Sequence, residues 1–183
     1  DVLYVCYDNE AYMNTGVQRS GATPPAARTN TSHAIGDDPG ASFTQGKNLP
    51  KIAMAHGIPY VATATVADLH DLEAKVKKAM SFHGARYLHV LVPCPLGWGT
   101  KSNETIELAR LATETGLFPV YEAEYGKVQN VKPIRNLRPA EDYLKNQKRY
   151  AHLFGKNGRT DLLDRIQGIA NKNIEEFKLV SEA

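Results

Sequence analysis

Residues 1–16 read DVLYVCYDNEAYMNTG, and this stretch decides the fold. Its first part, VLYVCY at residues 2–7, is an apolar run rich in β-branched and aromatic side chains. That composition predicts a strand buried on both faces, as in a parallel sheet. The run stops abruptly at a polar cluster containing Asp8, Asn9, Glu10, Asn14, Thr15 and Gly16. In open α/β sheets, ligands bind just beyond the carboxyl ends of the strands. The cluster therefore stands where a site is expected. Its carboxylate, amide and carbonyl oxygens suit Mg²⁺, which takes hard oxygen ligands and shares its sphere with substrate phosphates. A plain strand-end turn uses the same residue types, and spacing alone leaves both readings open.

Outward from this stretch, strand and helix signals alternate. Residues 17–46 are rich in Thr, Pro, Ala, Ser and Gly without any period, which predicts a long loop. The loop starts beside the polar cluster, where a lid, a subunit contact and a surface excursion are all open readings. Asn48 is placed to cap a helix over residues 49–56, with Pro50 in its first turn and Gly57 at its end. PYVATAT at residues 59–65 reads as the second strand. Residues 66–82 carry Leu69, Leu72, Val76, Ala79 and Met80 at helical spacing, with Lys75, Lys77 and Lys78 expected outside. YLHVLVP at residues 87–93 reads as the third strand, with Cys6 and His89 as core positions of their strands. Ser102 or Asn103 is placed to cap a helix that Gly116 ends, and residues 120–125 read as a final strand. Residues 127–137 read as a connector, followed by helices over about 138–154 and 160–180. The alternation implies an open, mostly parallel α/β sheet flanked by helices, with a helical extension at its C-terminal end. The division expected is an α/β part over residues 1–126 and a helical extension over residues 127–183.

Cys94 lies in VPCPLGW, at the carboxyl end of the third predicted strand. A lone cysteine ordinarily behaves as a small buried hydrophobe. Here prolines and a glycine flank it, on the edge of the sheet that carries the Asp8–Gly16 cluster.

The wording of these segments adds to the pattern. DNEAYMNTGxQxS from residue 8, GKNLPKIAMAHGIPYVATAT, YLHVLVPCPLGW and TIELARLATETGLFPVYE occur in that order. Together they closely resemble the thiamine diphosphate-binding part of the β subunit of the 2-oxoacid:ferredoxin oxidoreductases, over about residues 1–155. This family includes pyruvate, 2-oxoisovalerate and oxalate enzymes. The resemblance implies that Mg²⁺ takes the Asn9 side-chain oxygen and the Ala11 carbonyl, with Asp8 fixing the turn. It implies that Asn14 reaches the thiazolium and substrate as the catalytic hydrogen-bond donor, while Tyr12, Thr15 and Gly16 shape the cofactor pocket. Cys94 would be one thiolate ligand of a [4Fe-4S] cluster. The partners implied are the other subunits of the complex, on which the extension over residues 127–183 would pack, together with ferredoxin, a 2-oxoacid or oxalate, and coenzyme A where the acid is pyruvate. In the family a long N-terminal part precedes this region, so the chain reads as the C-terminal part of a longer subunit. A non-oxidative thiamine decarboxylase and a non-catalytic α/β scaffold are the competing readings; the first needs no cluster and the second no cofactor.

Composition narrows the classes further. The chain has 183 residues, 42% hydrophobic, enough for a domain with its own core. Its 22 basic and 20 acidic residues give a net charge of +2, with no basic block or aromatic-basic stripe. Nucleic acid is therefore not implied as a partner. No apolar run approaches the ~20 residues of a membrane helix, and no signal peptide is visible. Cys6 and Cys94 are expected reduced or ligated in a chain that resembles a cytoplasmic redox enzyme.

Overall fold

The computed structural model describes residues 1–35, 40–41, 45–156 and 158–180. Residues 36–39 and 42–44 of the long loop expected over 17–46 lie outside the described residues. Five strands form one sheet in the order β1-β3-β2-β4-β5. They are β1 (Val2–Asp8), β2 (Tyr60–Thr65), β3 (Ala85–Leu91), β4 (Tyr121–Glu124) and β5 (Lys127–Val131). β3 pairs in parallel with β1 on one side and β2 on the other. β4 runs antiparallel to β2, and β5 antiparallel to β4.

The central strands behave as their composition dictates. All six residues of β2 and six of the seven in β3 are buried, as a strand covered on both faces requires. α2 (Leu69–Met80) covers one face, where Leu72, Val76 and Ala79 meet Tyr60, Ala62, Leu88 and Val90. α1 (Leu49–Ala55) and the end of α6 (Thr160–Phe177) cover the other, around Val61, Tyr87 and Tyr121. Asn48 caps α1 by accepting the Lys51 N–H at 2.9 Å. Asp68 caps α2 in the same way at 3.0 Å, so that helix starts three residues later than its apolar spacing suggested.

β1 differs from expectation. It lies at the sheet edge, with Val2 58%, Tyr4 63% and Tyr7 71% exposed. Only Leu3 and Val5 on one face and Cys6 on the other reach the clusters. An edge strand has one neighbour instead of two, so an apolar composition does not bury it.

A second difference is β5, where the sequence suggested a connector. Tyr125 (φ 48°) and Gly126 (φ 78°) make a two-residue turn with both φ positive, the geometry that closes a tight hairpin. The expected boundary at 126/127 falls at the end of this turn, between the two strands of one hairpin.

Lys75 also departs from expectation. It is 4% exposed, and its ammonium donates to the Thr63 carbonyl at 2.9 Å and to Asp71 at 2.7 Å. Burial lowers its pKa, against the opposing pull of Asp71.

Beyond the carboxyl end of β3 sits the third cluster. It joins Leu91 and Trp98 to Leu108, Leu111 and Ala112 of α4 (Thr105–Glu114), to Ala140, Tyr143 and Leu144 of α5 (Ala140–Leu144), and to Leu162 and Ile166 of α6. The single helix expected over about 138–154 is broken. α5 ends, Gln147 takes an extended conformation (φ −118°, ψ 118°), and a 3-10 helix follows at Lys148–Leu153. Gln147 is fully buried and donates to the Tyr143 carbonyl at 2.7 Å, which holds the break in place. α4 is preceded by a 3-10 turn, Ser102–Glu104, in place of a simple cap at Ser102 or Asn103.

Candidate functional site

Parallel pairing brings the carboxyl ends of β1 and β3 side by side. Asp8 stands opposite Leu91, and the Val92 N–H donates to the Asp8 carbonyl at 2.9 Å. Two loops leave this rim together, residues 9–16 from β1 and residues 92–99 from β3.

Asp8 shapes the first loop. One carboxylate oxygen accepts the Glu10 N–H at 2.8 Å, and the other accepts Nε2 of His89 at 2.9 Å. With Nε2–H so engaged, Nδ1 of His89 accepts the Tyr87 hydroxyl at 2.7 Å. The imidazole is buried and lies against the Phe118 ring. The expectation for His89 was packing alone; it also buttresses the rim.

Glu10 is held at φ 66°, a left-handed backbone that non-glycine residues seldom adopt. Its carbonyl accepts the Thr23 hydroxyl at 2.7 Å. Its carboxylate does not serve the rim: it forms a buried ion pair with the Arg149 guanidinium. Burial raises the Glu10 pKa, with Arg149 pulling it back. Next to it, Asn9 Oδ1 accepts the Ala11 N–H at a long 3.4 Å. No hydrogen bond among the described residues ends on the Ala11 carbonyl. The loop closes where Tyr12 and Gln18 exchange backbone bonds of 2.9 and 3.2 Å. Gly16 (φ 113°) turns the chain, and the Asn30 side chain donates to its carbonyl. Thr15 bonds the Gln18 side chain at 2.6 Å. Tyr12 is 62% exposed, and Asn14 is exposed with no hydrogen-bond partner among the described residues.

The second loop carries Cys94 at the start of the short helix α3 (Pro95–Trp98). Its Sγ accepts the Gly97 N–H at 3.5 Å, and Gly99 at φ 67° ends the turn. Cys6 and Cys94 are both free thiols. Burial raises the Cys6 pKa, as expected of a thiol inside a strand.

The two loops touch. The Trp98 indole N–H donates to the Asn9 carbonyl at 3.0 Å. A β-carbon at Gly97 would lie 2.1 Å from the Met13 sulfur, so any larger residue there would push the Met13 side chain aside. Asn9 and Cys94 thus stand in adjacent loops on one rim. Trp98, Arg149 and the His89–Asp8 contact were missed in the sequence. VPCPLGW was singled out for its cysteine, and the tryptophan four residues later carried no separate signal.

The chemistry of this donor set fits the groups implied above, in part. Asn9 Oδ1 keeps a lone pair and the Ala11 carbonyl is unengaged, which suits two places on an oxygen-seeking Mg²⁺. One thiolate with an N–H donor on its sulfur suits one corner of an iron-sulfur cluster. No three His, Cys, Asp or Glu side chains converge to hold a metal among the described residues.

Residues 1–90 match the family model described as "Thiamine pyrophosphate enzyme, C-terminal TPP binding domain", which spans β1 to β3 with the loop between them. Pyruvate synthase subunit PorB from Methanosarcina barkeri is 48% identical over 179 residues, 98% of this chain and 60% of that protein. The Thermotoga maritima protein of the same description is 38% identical over 99% of this chain and 56% of its own length. The chain belongs to the 2-oxoacid:ferredoxin oxidoreductase family. Ketoisovalerate oxidoreductase subunit VorB from Pyrococcus abyssi is a further relative, 42% identical over 84% of this chain and 50% of that one. The chain therefore spans about half to three fifths of the length of these family members. A solved 2-oxoglutarate:ferredoxin oxidoreductase from Magnetococcus marinus aligns at TM-score 0.45 and 18% identity, over 82% of this chain and 55% of that one, a likeness too distant to bear on function. No helix among the described residues is long and apolar enough to cross a membrane.

Proposed function

We propose that this segment forms part of the thiamine diphosphate site of an enzyme that oxidatively decarboxylates a 2-oxoacid in the cytoplasm and passes electrons to ferredoxin. One contact carries the reading: the Trp98–Asn9 hydrogen bond joins the oxygen-rich loop to the cysteine loop. When bound, thiamine diphosphate supplies the nucleophile and electron sink for the 2-oxo carbon, and a [4Fe-4S] cluster supplies a one-electron acceptor.

The chain's own residues bind and orient. Asn9 and the Ala11 carbonyl would hold Mg²⁺, on a turn that Asp8 fixes through Glu10 N–H and His89. Asn14, exposed and unengaged, would donate a hydrogen bond toward charge developing on the substrate oxygen. Tyr12, Thr15 and Gly16 would form the near wall of the cofactor pocket. Cys94 would ligate the cluster through its thiolate, with the Gly97 N–H on the sulfur. The remaining metal and cluster ligands would come from outside this chain, as would the partner subunits. Coenzyme A would accept the acyl group where the acid is pyruvate; oxalate would need no acceptor.

The test is turnover of pyruvate, 2-oxoisovalerate and oxalate by the intact complex with ferredoxin or a viologen dye. The VorB relative makes a branched acid the second substrate to try. Asn9→Ala is expected to weaken thiamine diphosphate retention at limiting Mg²⁺, and Cys94→Ser to lower iron content. Full iron and full redox activity in Cys94→Ser would remove the cysteine from the reading.

A further inference from the structure

We propose that Arg149 is a positioning residue that locks the two rim loops into one arrangement. The inference rests on the reading of Asn9 and Cys94 given above. Arg149 lies in the 3-10 helix of the C-terminal region, 139 residues from Glu10 in the chain. Its side chain is only 4% exposed. One edge of the guanidinium binds the Glu10 carboxylate of the first loop. Its central carbon lies over the Trp98 ring, 3.9 Å from the ring centre, in the second loop. Nε donates to Gln147 at 2.8 Å, and the Arg149 carbonyl accepts the Arg28 N–H at 3.0 Å, so the group is itself fixed. Trp98 completes the circuit through Asn9. Asn9, Glu10, Arg149 and Trp98 thus form a closed ring of contacts spanning both loops.

The choice of side chain supports a role beyond packing. Only arginine offers a flat face for the indole and a fork for the carboxylate at once; a lysine ammonium cannot do both. A buried ion pair is a poor source of stability compared with apolar side chains of the same volume, but it fixes geometry. Glu10 needs fixing, because its left-handed backbone persists only when its surroundings enforce it. Release of that residue would let its neighbours Asn9 and Ala11 turn away from the rim.

The experiment uses the intact multi-subunit complex with Arg149→Lys, Glu10→Gln, Trp98→Phe and the Arg149→Lys/Trp98→Phe double variant. Thiamine diphosphate binding is measured by equilibrium dialysis at fixed Mg²⁺, with kcat at saturation and the electron paramagnetic resonance spectrum of the reduced cluster. Arg149→Lys should raise the half-saturating diphosphate concentration about tenfold, the scale seen when the partners that orient metal ligands are removed. It should also alter the cluster spectrum, and adding Trp98→Phe should change little more, since both act on one ring of contacts. If Arg149→Lys does not assemble, Glu10→Gln, which keeps the volume, must show the same binding defect. A purely structural arginine would lower thermal stability and leave cofactor affinity and the spectrum unchanged, and that result overturns the proposal. Asn9→Ala run in parallel separates the two failures. If it weakens binding while the Arg149 and Glu10 variants do not, the positioning role alone is wrong. If it too has no effect, the assignment of the rim as the cofactor site fails and takes this inference with it.

Discussion

Adding one methyl group at Gly97 should loosen the cysteine loop. An alanine β-carbon there would lie 2.1 Å from Met13 Sδ and 2.7 Å from its methyl carbon. Apolar contacts settle near 3.5–4.0 Å, so the sulfur must retreat by roughly 1.5 Å. Met13 has flexible bonds and can move, but it packs beside the cluster of Leu91, Trp98 and Tyr143 and would withdraw from it. Forfeiting about half the burial of a methionine costs about 1–1.5 kcal/mol, at the low end of the ~1–3 kcal/mol typical of overpacking. In a chain of this size that lowers Tm by about 3–5 °C. The assay is thermal unfolding, followed by circular dichroism, of the unsubstituted protein, Gly97→Ala, Met13→Ala and the double variant. With the Met13 side chain gone the collision disappears, and Gly97→Ala should then cost less than about 0.5 kcal/mol. Equal losses of Tm in both backgrounds would refute the argument, because the glycine would then be avoiding something other than Met13.

His89→Leu strips the Asp8 carboxylate of its buried partner and should cost about 1–3 kcal/mol in urea unfolding, whereas His89→Gln, which can still donate, should cost less. Lys75→Met leaves the Thr63 carbonyl and Asp71 without their ammonium, and should destabilise by about 1–3 kcal/mol despite the apolar surroundings; a neutral or positive effect on Tm would show that the buried charge is dispensable. Asp142 is bonded by Lys145 and Arg138, which hold its carboxyl below the ordinary range. A depressed folded pKa contributes stability above the unfolded carboxylate value, lost as pH falls through the folded value. Stability should therefore fall with acidity below about pH 4, and less steeply in Asp142→Asn; parallel profiles for the two proteins would count against the pairing.

Much of the scaffold was legible because its signals are local. Asn48, Pro50 and Gly57 bracket α1 through backbone chemistry that involves only near neighbours in the chain. The continuous apolar runs of β2 and β3 announce strands covered on both faces. Those strands, with the helices between them, place Asn9 and Cys94 on one edge of the sheet. β5 was not legible: KVQNV is exposed along most of its length, and an edge strand needs no apolar period. Its only local mark is the Tyr125-Gly126 turn, which lacks the usual Asn-Gly wording. The break between α5 and the following 3-10 helix was hidden too, since Gln147 reads as an ordinary helix former until its burial is known.

Chain-local chemistry by itself determined the alternation of strands and helices, and with it the rim on which the oxygen-rich loop and Cys94 stand. It did so because propensity, capping and periodicity act over a few residues. Tertiary structure alone decided which strand sits at the edge, which lysine is buried, and which side chains hold the loops together. Those outcomes depend on partners far away in sequence, as with Glu10 and Arg149, and burial assigns such pairs without leaving any period in the chain to read.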